Sequence, residues 1–282
     1  MTLAEYQKHF IQSLSEQYTA TESRLLYTFF LQHYLGDDRA QQRSCAHLTL
    51  DESEKQKLDT ALEGLKSGIP YQYLLGEAEF YGMTFKVNSE VLIPRPETEE
   101  LLELALKTLK SSELNHGKFR GIDIGTGSGI LPIVLKKNFP QAEIWAIDNS
   151  EKALEIAQAN AQKHRTEVHL VCRDYLSSPL ENHFDVIISN PPYIGQDEQN
   201  EIAPSVKNHE PQAALFSPTE DPLVFYRKIA HDALNHLNKN GYIFLEINQK
   251  FGPETLALFE HFSENQLIKD LSGNDRFVIA KK

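Results

Sequence analysis

Phe119-Arg120-Gly121-Ile122-Asp123-Ile124-Gly125-Thr126-Gly127-Ser128-Gly129 leads from a β-forming run through a glycine-rich turn into a helical stretch at 130–138. Working outward, a second strand reads at 143–148 and a second helix at 151–164. Further strands follow at 167–172, 184–189 and 242–247, with a final pair near 267–271 and 276–280. Apolar strands separated by helices predict an α/β fold with a mostly parallel sheet covered on both faces. In such sheets ligands bind beyond the carboxyl ends of the strands, near the point where strand order reverses. Upstream, Glu79-Phe80-Tyr81-Gly82-Met83-Thr84-Phe85-Lys86-Val87 places β-formers around a glycine turn and reads as a hairpin. Next comes Ile93-Pro94-Arg95-Pro96-Glu97-Thr98-Glu99, stiffened by two prolines, from which Glu97 or Thr98 can begin a helix over 101–109.

The first 66 residues carry no convincing strand. Phe10, Leu14, Leu25, Leu26, Phe29, Phe30 and Leu31 recur at helical spacings, with Thr21 as an N-cap and Gly36-Asp37-Asp38 as a stop. A further helix at 53–66 ends at Ser67-Gly68-Ile69-Pro70. The expected organisation is a helical domain over 1–75, a hairpin linker over 76–95 and the α/β domain over 96–282.

At 282 residues, with 40% hydrophobic and 24% charged side chains, the chain is neither disordered nor fibrous. Its net charge of −12, from 28 Lys and Arg against 40 Asp and Glu, works against binding along a phosphate backbone. Residues 1–90 alone hold 8 basic and 13 acidic side chains, so that block is no basic nucleic-acid appendage. Cys45 and Cys172 form no CxxC pair, which disfavours a disulfide scaffold or a cysteine-ligated zinc site and suits a reducing compartment. The N-terminus lacks an apolar signal core and no run approaches the roughly 20 residues of a membrane helix, so a cytoplasmic, membrane-free protein is expected. His231 and His236, five positions apart, stand roughly 140° apart around a helix and make no metal pair; no metal site is expected.

Three strand ends carry the chemistry. Glycines at 125, 127 and 129 allow a sharp turn and bring backbone N–H groups close to a ligand without an intervening Cβ. The G-x-G-x-G spacing, with Asp123 two residues ahead and no P-loop lysine, differs from the dinucleotide pattern. It suits a cofactor without a pyrophosphate, S-adenosyl-L-methionine being the obvious one. Asp148, ending the second strand, can accept hydrogen bonds from both hydroxyls of a ribose, or can simply cap the helix beginning near Asn149-Ser150. Asp174 and Tyr175, after the third strand, can meet an adenine amino group and its ring, or can serve as turn residues.

The fourth strand runs into Asn190-Pro191-Pro192-Tyr193. Two prolines lacking N–H donors end the ladder and leave a rigid loop that presents carbonyls. The Asn190 side-chain oxygen and the Pro191 carbonyl can both accept from one planar NH2 group. An amide nitrogen whose lone pair is delocalised is a poor nucleophile. Two acceptors aim it and favour its change toward tetrahedral geometry, while Tyr193 offers an aromatic face to the planar group.

With these residues the chain resembles the class I adenosylmethionine-dependent methyltransferases, and more narrowly the peptide-chain-release-factor glutamine N5-methyltransferases, over nearly its whole length. The narrower likeness rests on Val91–Glu99 as VLIPRPETE, Gly76–Gly82 as GEAEFYG, Glu210-Pro211-Gln212-Ala213-Ala214-Leu215, Phe225-Tyr226 and Lys269–Arg276 as KDLSGNDR. The resemblance implies a Rossmann-like sheet with an antiparallel last strand and a small N-terminal helical bundle joined by a β-hairpin, the helical domain being the substrate-docking part. It also implies methyl transfer from S-adenosyl-L-methionine, leaving S-adenosyl-L-homocysteine, to the glutamine of the Gly-Gly-Gln loop of class I release factors. By that likeness Gly125, Thr126, Gly127, Ser128, Gly129, Asp148 and Tyr175 face the cofactor, and Asp174, from its strand-end position, and Asn190 are expected there too. Asn190, Pro191, Pro192 and Tyr193 hold the substrate, with Asn190, Pro191 and Tyr193 catalytic. Arg95 and Glu97 match the cofactor-side segment without an assigned role. Tyr175 stands where tryptophan is frequent, Asn248 and Pro222 where glycine is common, and Pro132 lies in the first turns of the helix after the loop. Two other readings are an amino-methyltransferase acting on adenine N6, which the acidic charge opposes, and a non-catalytic cofactor-binding protein, which the intact Asn190–Tyr193 loop opposes.

Overall fold

Thr2 with Glu5, Thr19 with Glu22 and Asp51 with Glu54 each form a capping box, starting the helices Leu3–Ser13, Ala20–Leu35 and Glu52–Lys66. The second helix starts ahead of the expected Thr21, because Thr19 has an acid three residues on. The Glu22 carboxylate returns to the Thr19 N–H at 2.7 Å. The computed structural model describes residues 1–36 and 46–282. Gly36 closes the second helix at a φ of 73°, whereas Asp37, Asp38 and Cys45 lie outside the described residues. Tyr6, Phe10, Tyr27, Phe30, Leu58 and Leu62 form the core of this first compact unit, Met1–Glu77 with Ala203–His209. The buried phenols of Tyr6 and Tyr27 donate to Asp59 at 2.6 Å and to the Leu3 carbonyl at 2.9 Å.

The second unit comprises Ala78–Ile202 and Glu210–Lys282. The expected hairpin is β1 (Glu77–Phe80) and β2 (Met83–Lys86). Its two-residue turn places both Tyr81 and Gly82 at positive φ, 51° and 69°, a twist that suits a tight hairpin. Tyr81 is held there by its N–H to Glu99 at 2.6 Å and its hydroxyl to Glu103. Phe80 and Phe85 are buried among residues of the sheet and its helices, so from Ala78 onward the hairpin counts with the α/β unit. The next helix is Pro96–Lys110, with Arg95 at the cap position and Pro96 first. A proline is favoured there because its missing N–H would be unpaired anyway. Thr98 is therefore inside the helix, and its hydroxyl is free for another use.

All seven expected strands of the main sheet form: β3 (Arg120–Ile124), β4 (Glu143–Asp148), β5 (His169–Cys172), β6 (Phe184–Ser189), β7 (Leu237–Glu246), β8 (Glu264–Lys269) and β9 (Asp275–Lys281). Their order is β5-β4-β3-β6-β7-β9-β8. The first five are parallel, and β9 is antiparallel to both of its neighbours. β7 begins earlier than its apolar run, because Leu237 pairs with Phe184 ahead of a register irregularity and Asn240 sits at a φ of 64°. Side chains alternate between two cores, as strand geometry requires. Ile144, Val186, Ile188 and Phe244 pack with leucines of the helix Pro96–Lys110. Ile122, Ile124, Ile187 and Leu245 pack with Tyr226 and Ile229 of the helix Val224–His236.

This order places the site. The chain runs outward from β3 to β4 and β5, then returns to lay β6 on the other side of β3, so strand order reverses between β3 and β6. Ile124 pairs with Ser189 on one side and Ile147 on the other, and Asp148 pairs with Cys172. The residues one or two steps beyond those pairs, in the Gly125 loop, at Asp148 and at Asn190, therefore emerge side by side at the carboxyl edge.

Candidate active site

Gly125, Gly127 and Gly129 take φ values of 77°, 54° and 80°, which L side chains avoid. A Cβ at Gly125 or Gly127 would meet nothing within 4 Å, whereas one at Gly129 would meet Ala157 Cβ at 3.0 Å. The first two glycines thus open a face of the loop, and the third lets two helices approach. The expectation that the loop aims its N–H groups at a ligand is corrected at four positions. The Gly125 and Thr126 N–H groups donate to the Ile147 carbonyl at 2.9 and 3.0 Å, the Gly127 N–H donates to Asp148 Oδ2 at 2.8 Å, and the Gly129 N–H donates to the Thr126 carbonyl at 2.9 Å. The loop is folded onto the end of β4 and offers close approach rather than a row of free donors. Asn160, fully buried, braces it from behind by donating to the Ser128 carbonyl at 2.9 Å while pairing with both backbone groups of Lys86.

Asp148 is not the helix cap. Ser150 caps Glu151–Lys163 through its hydroxyl, and Asp148 Oδ1 accepts from the Ser150 N–H at 2.9 Å. With one bond on each oxygen, the carboxylate keeps two acceptor positions for a diol. Asp174 accepts from the Leu176 N–H at 3.1 Å, so the turn-residue reading describes one of its contacts. Tyr175 is buried, with the Lys228 ammonium 4.8 Å from its ring centre; burial raises its phenol pKa and the nearby Asp232 carboxylate adds to the rise.

One cavity at the carboxyl edge is bordered by Gly125, Thr126, Gly127, Ser128, Asp148, Asp174, Tyr175, Asn190 and Pro192, and by Thr98, Arg95 and Phe225. Gly129, Pro191 and Tyr193 are not part of this lining: Gly129 packs against Ala157, Pro191 is buried, and the Tyr193 hydroxyl donates to Glu246 Oε1 at 3.1 Å. The Asn190 Nδ2 donates to Thr98 Oγ1 at 3.0 Å, so its Oδ1 is turned the other way. Beneath the loop lies Asp123, buried, with no hydrogen-bond partner for either carboxylate oxygen among the described residues. Burial pushes its carboxyl up to about 7; the nearby Thr126 hydroxyl works against that rise and the Asp148 charge adds to it.

Sequence reasoning did not single out Thr98, Glu246 or Glu210 for a role. Glu210, 4% exposed, accepts from the Ile93 N–H at 3.1 Å and from Arg95 Nη2 at 2.6 Å, which joins the Ile93–Glu99 segment to Glu210–Leu215. Asn248 needs no glycine, having a φ of −68°, and its Nδ2 donates to the Tyr193 carbonyl at 3.2 Å and to Glu198 at 2.8 Å. Pro132, third in its helix, breaks no hydrogen bond. His231 is exposed and His236 lies near the Asn182 carbonyl. Among the described residues no group of three His, Cys, Asp or Glu side chains could hold a metal ion.

Residues 5–76 match the family described as PrmC N-terminal domain, and residues 101–209 match the Methyltransferase small domain. The release factor glutamine methyltransferase of Flavobacterium psychrophilum is 40% identical over 282 residues, covering 99% of this chain and 98% of the relative. The chain belongs to the release factor glutamine methyltransferases. The Bacteroides thetaiotaomicron relative of the same name is 37% identical, covering 96% of this chain and 97% of its own. A methyltransferase from Pyrococcus furiosus, 18% identical with a TM-score of 0.50, covers 82% of this chain and 99% of its own, and shares the fold. So does the T. thermophilus 16S rRNA N2 G1207 methyltransferase, 20% identical with a TM-score of 0.52, covering 73% of this chain and 49% of its own. This member of the family is thus an S-adenosylmethionine-dependent enzyme on a class I sheet. The cavity fits that cofactor: an open glycine face, a carboxylate with two acceptor positions, and Tyr175 in its lining.

Proposed function

We propose that this enzyme methylates the side-chain amide nitrogen of the glutamine in the Gly-Gly-Gln loop of class I release factors, with the helical unit as the docking module. The observation that carries the chemistry is the Asn190 amide, whose nitrogen is engaged by Thr98 and whose oxygen is left as an acceptor at the edge of the cavity. Asp148 would hold the ribose, Asp174 and Tyr175 the adenine, and the open loop Gly125–Gly129 the remainder of the cofactor. When bound, S-adenosyl-L-methionine supplies a methyl group on a sulfonium, an electrophile that an oriented amide nitrogen can attack.

The protein's own share is positioning and electrostatics. Asn190 Oδ1 and the Pro191 carbonyl would each take one N–H of the substrate amide, hold its plane and stabilise the positive charge that grows on nitrogen. Tyr193 supports the loop from behind through its hydroxyl bond to Glu246 and through Asn248 on its carbonyl. Asn190→Ala is expected to lower turnover on the order of 10²-fold or more while cofactor affinity changes only a few-fold. The check is mass analysis of the release-factor tryptic peptide containing Gly-Gly-Gln, with steady-state rates beside it. No mass gain on that peptide, with labelled methyl appearing in DNA instead, would move the reading to adenine N6.

A further inference from the structure

Thr98 and Glu246 lie 148 positions apart and meet beneath the Asn190 loop. Both are buried, at 2% and 1% exposure. Thr98 Oγ1 donates to Glu246 Oε2 at 2.7 Å, Tyr193 donates to Glu246 Oε1 at 3.1 Å, and Asn190 Nδ2 donates to Thr98 Oγ1 at 3.0 Å. Tyr226 fixes the same residue's main chain by donating to the Glu246 carbonyl at 3.0 Å. Burial raises the pKa of the Glu246 carboxyl, while the hydrogen bonds from Thr98 and Tyr193 and the charge of Arg276 work against that rise; Arg276 also donates to the adjoining Ile247 carbonyl at 3.3 Å.

Counting hydrogens gives this chain a direction. Both Glu246 oxygens are acceptors here, Oε1 from Tyr193 and Oε2 from Thr98. The single Thr98 hydroxyl hydrogen is therefore drawn to Glu246, and Thr98 can show Asn190 only lone pairs. An amide facing lone pairs must present its NH2 group, so Asn190 Oδ1 is left on the opposite side. Reverse the polarity at Glu246 and the logic reverses: a donor there would turn the Thr98 hydrogen toward Asn190, flip the amide and present NH2 to a substrate that also brings NH2. We propose that Thr98 and Glu246 are positioning residues, a buried carboxylate and a one-hydrogen relay that select the acceptor orientation of the Asn190 amide. This rests on the reading of Asn190 as the acceptor of the substrate amide.

The test compares Thr98→Val, Thr98→Ser, Glu246→Gln and Asn190→Ala in the full-length enzyme with an intact release factor. kcat and KM are measured by methyl transfer, the Kd for S-adenosyl-L-homocysteine by calorimetry, and folding by thermal melts. Thr98→Val keeps shape and loses the hydrogen, and Glu246→Gln keeps shape and allows the reversed polarity. Both are expected to lose kcat on the order of 10²-fold, with the product Kd changed by less than about threefold. Thr98→Ser restores the hydroxyl and is expected to stay within about threefold of wild type, a rescue that packing alone would not give. Adding Thr98→Val to Asn190→Ala is expected to cost nothing further, because the relay acts only through that amide. Wild-type kcat in Thr98→Val with Asn190→Ala inactive would overturn the relay and leave the Asn190 reading intact. Wild-type kcat in Asn190→Ala would overturn the reading underneath it. If Glu246→Gln fails to fold, the two Thr98 variants decide, since neither removes or adds a charge.

Discussion

Asp123 holds a carboxylate in a place where neither oxygen is paired among the described residues, directly under the cofactor loop. Such a group resists ionisation, and its value rises from 3.8 to about 7 on folding. The folded state then binds the proton more tightly than the unfolded one. Below about pH 4 both states are protonated and nothing is lost; between pH 4 and 7 stability falls as pH rises, and above 7 the loss is constant. Asp123→Asn is therefore expected to stabilise the cofactor-free enzyme at pH 8 by on the order of 2 kcal/mol, the buried amide retaining part of the cost. At pH 5 most of that advantage should be gone. Urea melts at the two values check it, and equal pH dependence in the two proteins would count against it. At this scale legibility followed locality. That Asp148 and Asn190 would border the cavity could be read because each stands at the end of its own strand. Glu246 could not, because what makes it matter is Thr98, a residue 148 positions away that no spacing rule connects to it.

The glycine loop shows how one motif divides its labour between fold and ligand. Gly129 and Gly125 have nearly the same φ, 80° and 77°, yet their surroundings differ. An alanine at Gly129 would put its Cβ 3.0 Å from Ala157 Cβ and 3.2 Å from its Cα, as well as straining the backbone. A loss of roughly 2–4 kcal/mol is expected from strain and overpacking together. At Gly125 the Cβ meets open space, and only the strain of about 1–2 kcal/mol is expected. That Cβ lies at the cavity, so Gly125→Ala should weaken S-adenosyl-L-homocysteine binding more than its stability loss suggests. Chemical denaturation and calorimetry on the two variants separate these effects. The elements themselves were legible where an apolar run coincided with the strand, as in β4 and β6, whose bounds match the expectation. They were less so where pairing extended a polar run. Asn238, Lys239 and Asn240 belong to β7 because Leu237 is held against Phe184, which the local sequence does not announce.

The described residues form three hydrophobic cores, one in the helical unit and one on each face of the sheet, and the cavity lies with the sheet. Phe10, Phe30 and Leu62 close the core of the helical unit. The cavity, the sheet and both clusters around it belong to residues of the second unit. No helix among the described residues is long and apolar enough to cross a membrane, and the net charge is −12. A ligand stabilises what it binds in the folded state alone, by about 2.7 kcal/mol at a hundredfold excess over Kd. Saturation with S-adenosyl-L-homocysteine is therefore expected to slow exchange on the order of 100-fold for those amides of β3, β4 and β6 that open only with their whole unit. Amides of Leu3–Ser13 and Glu52–Lys66, which rely on the helical core, should exchange at the same rate with and without ligand. Peptide-resolved hydrogen exchange measures both sets in one sample. An equal slowing of the two sets would mean that the cores open together, and that the helical unit draws its stability from the cofactor as well.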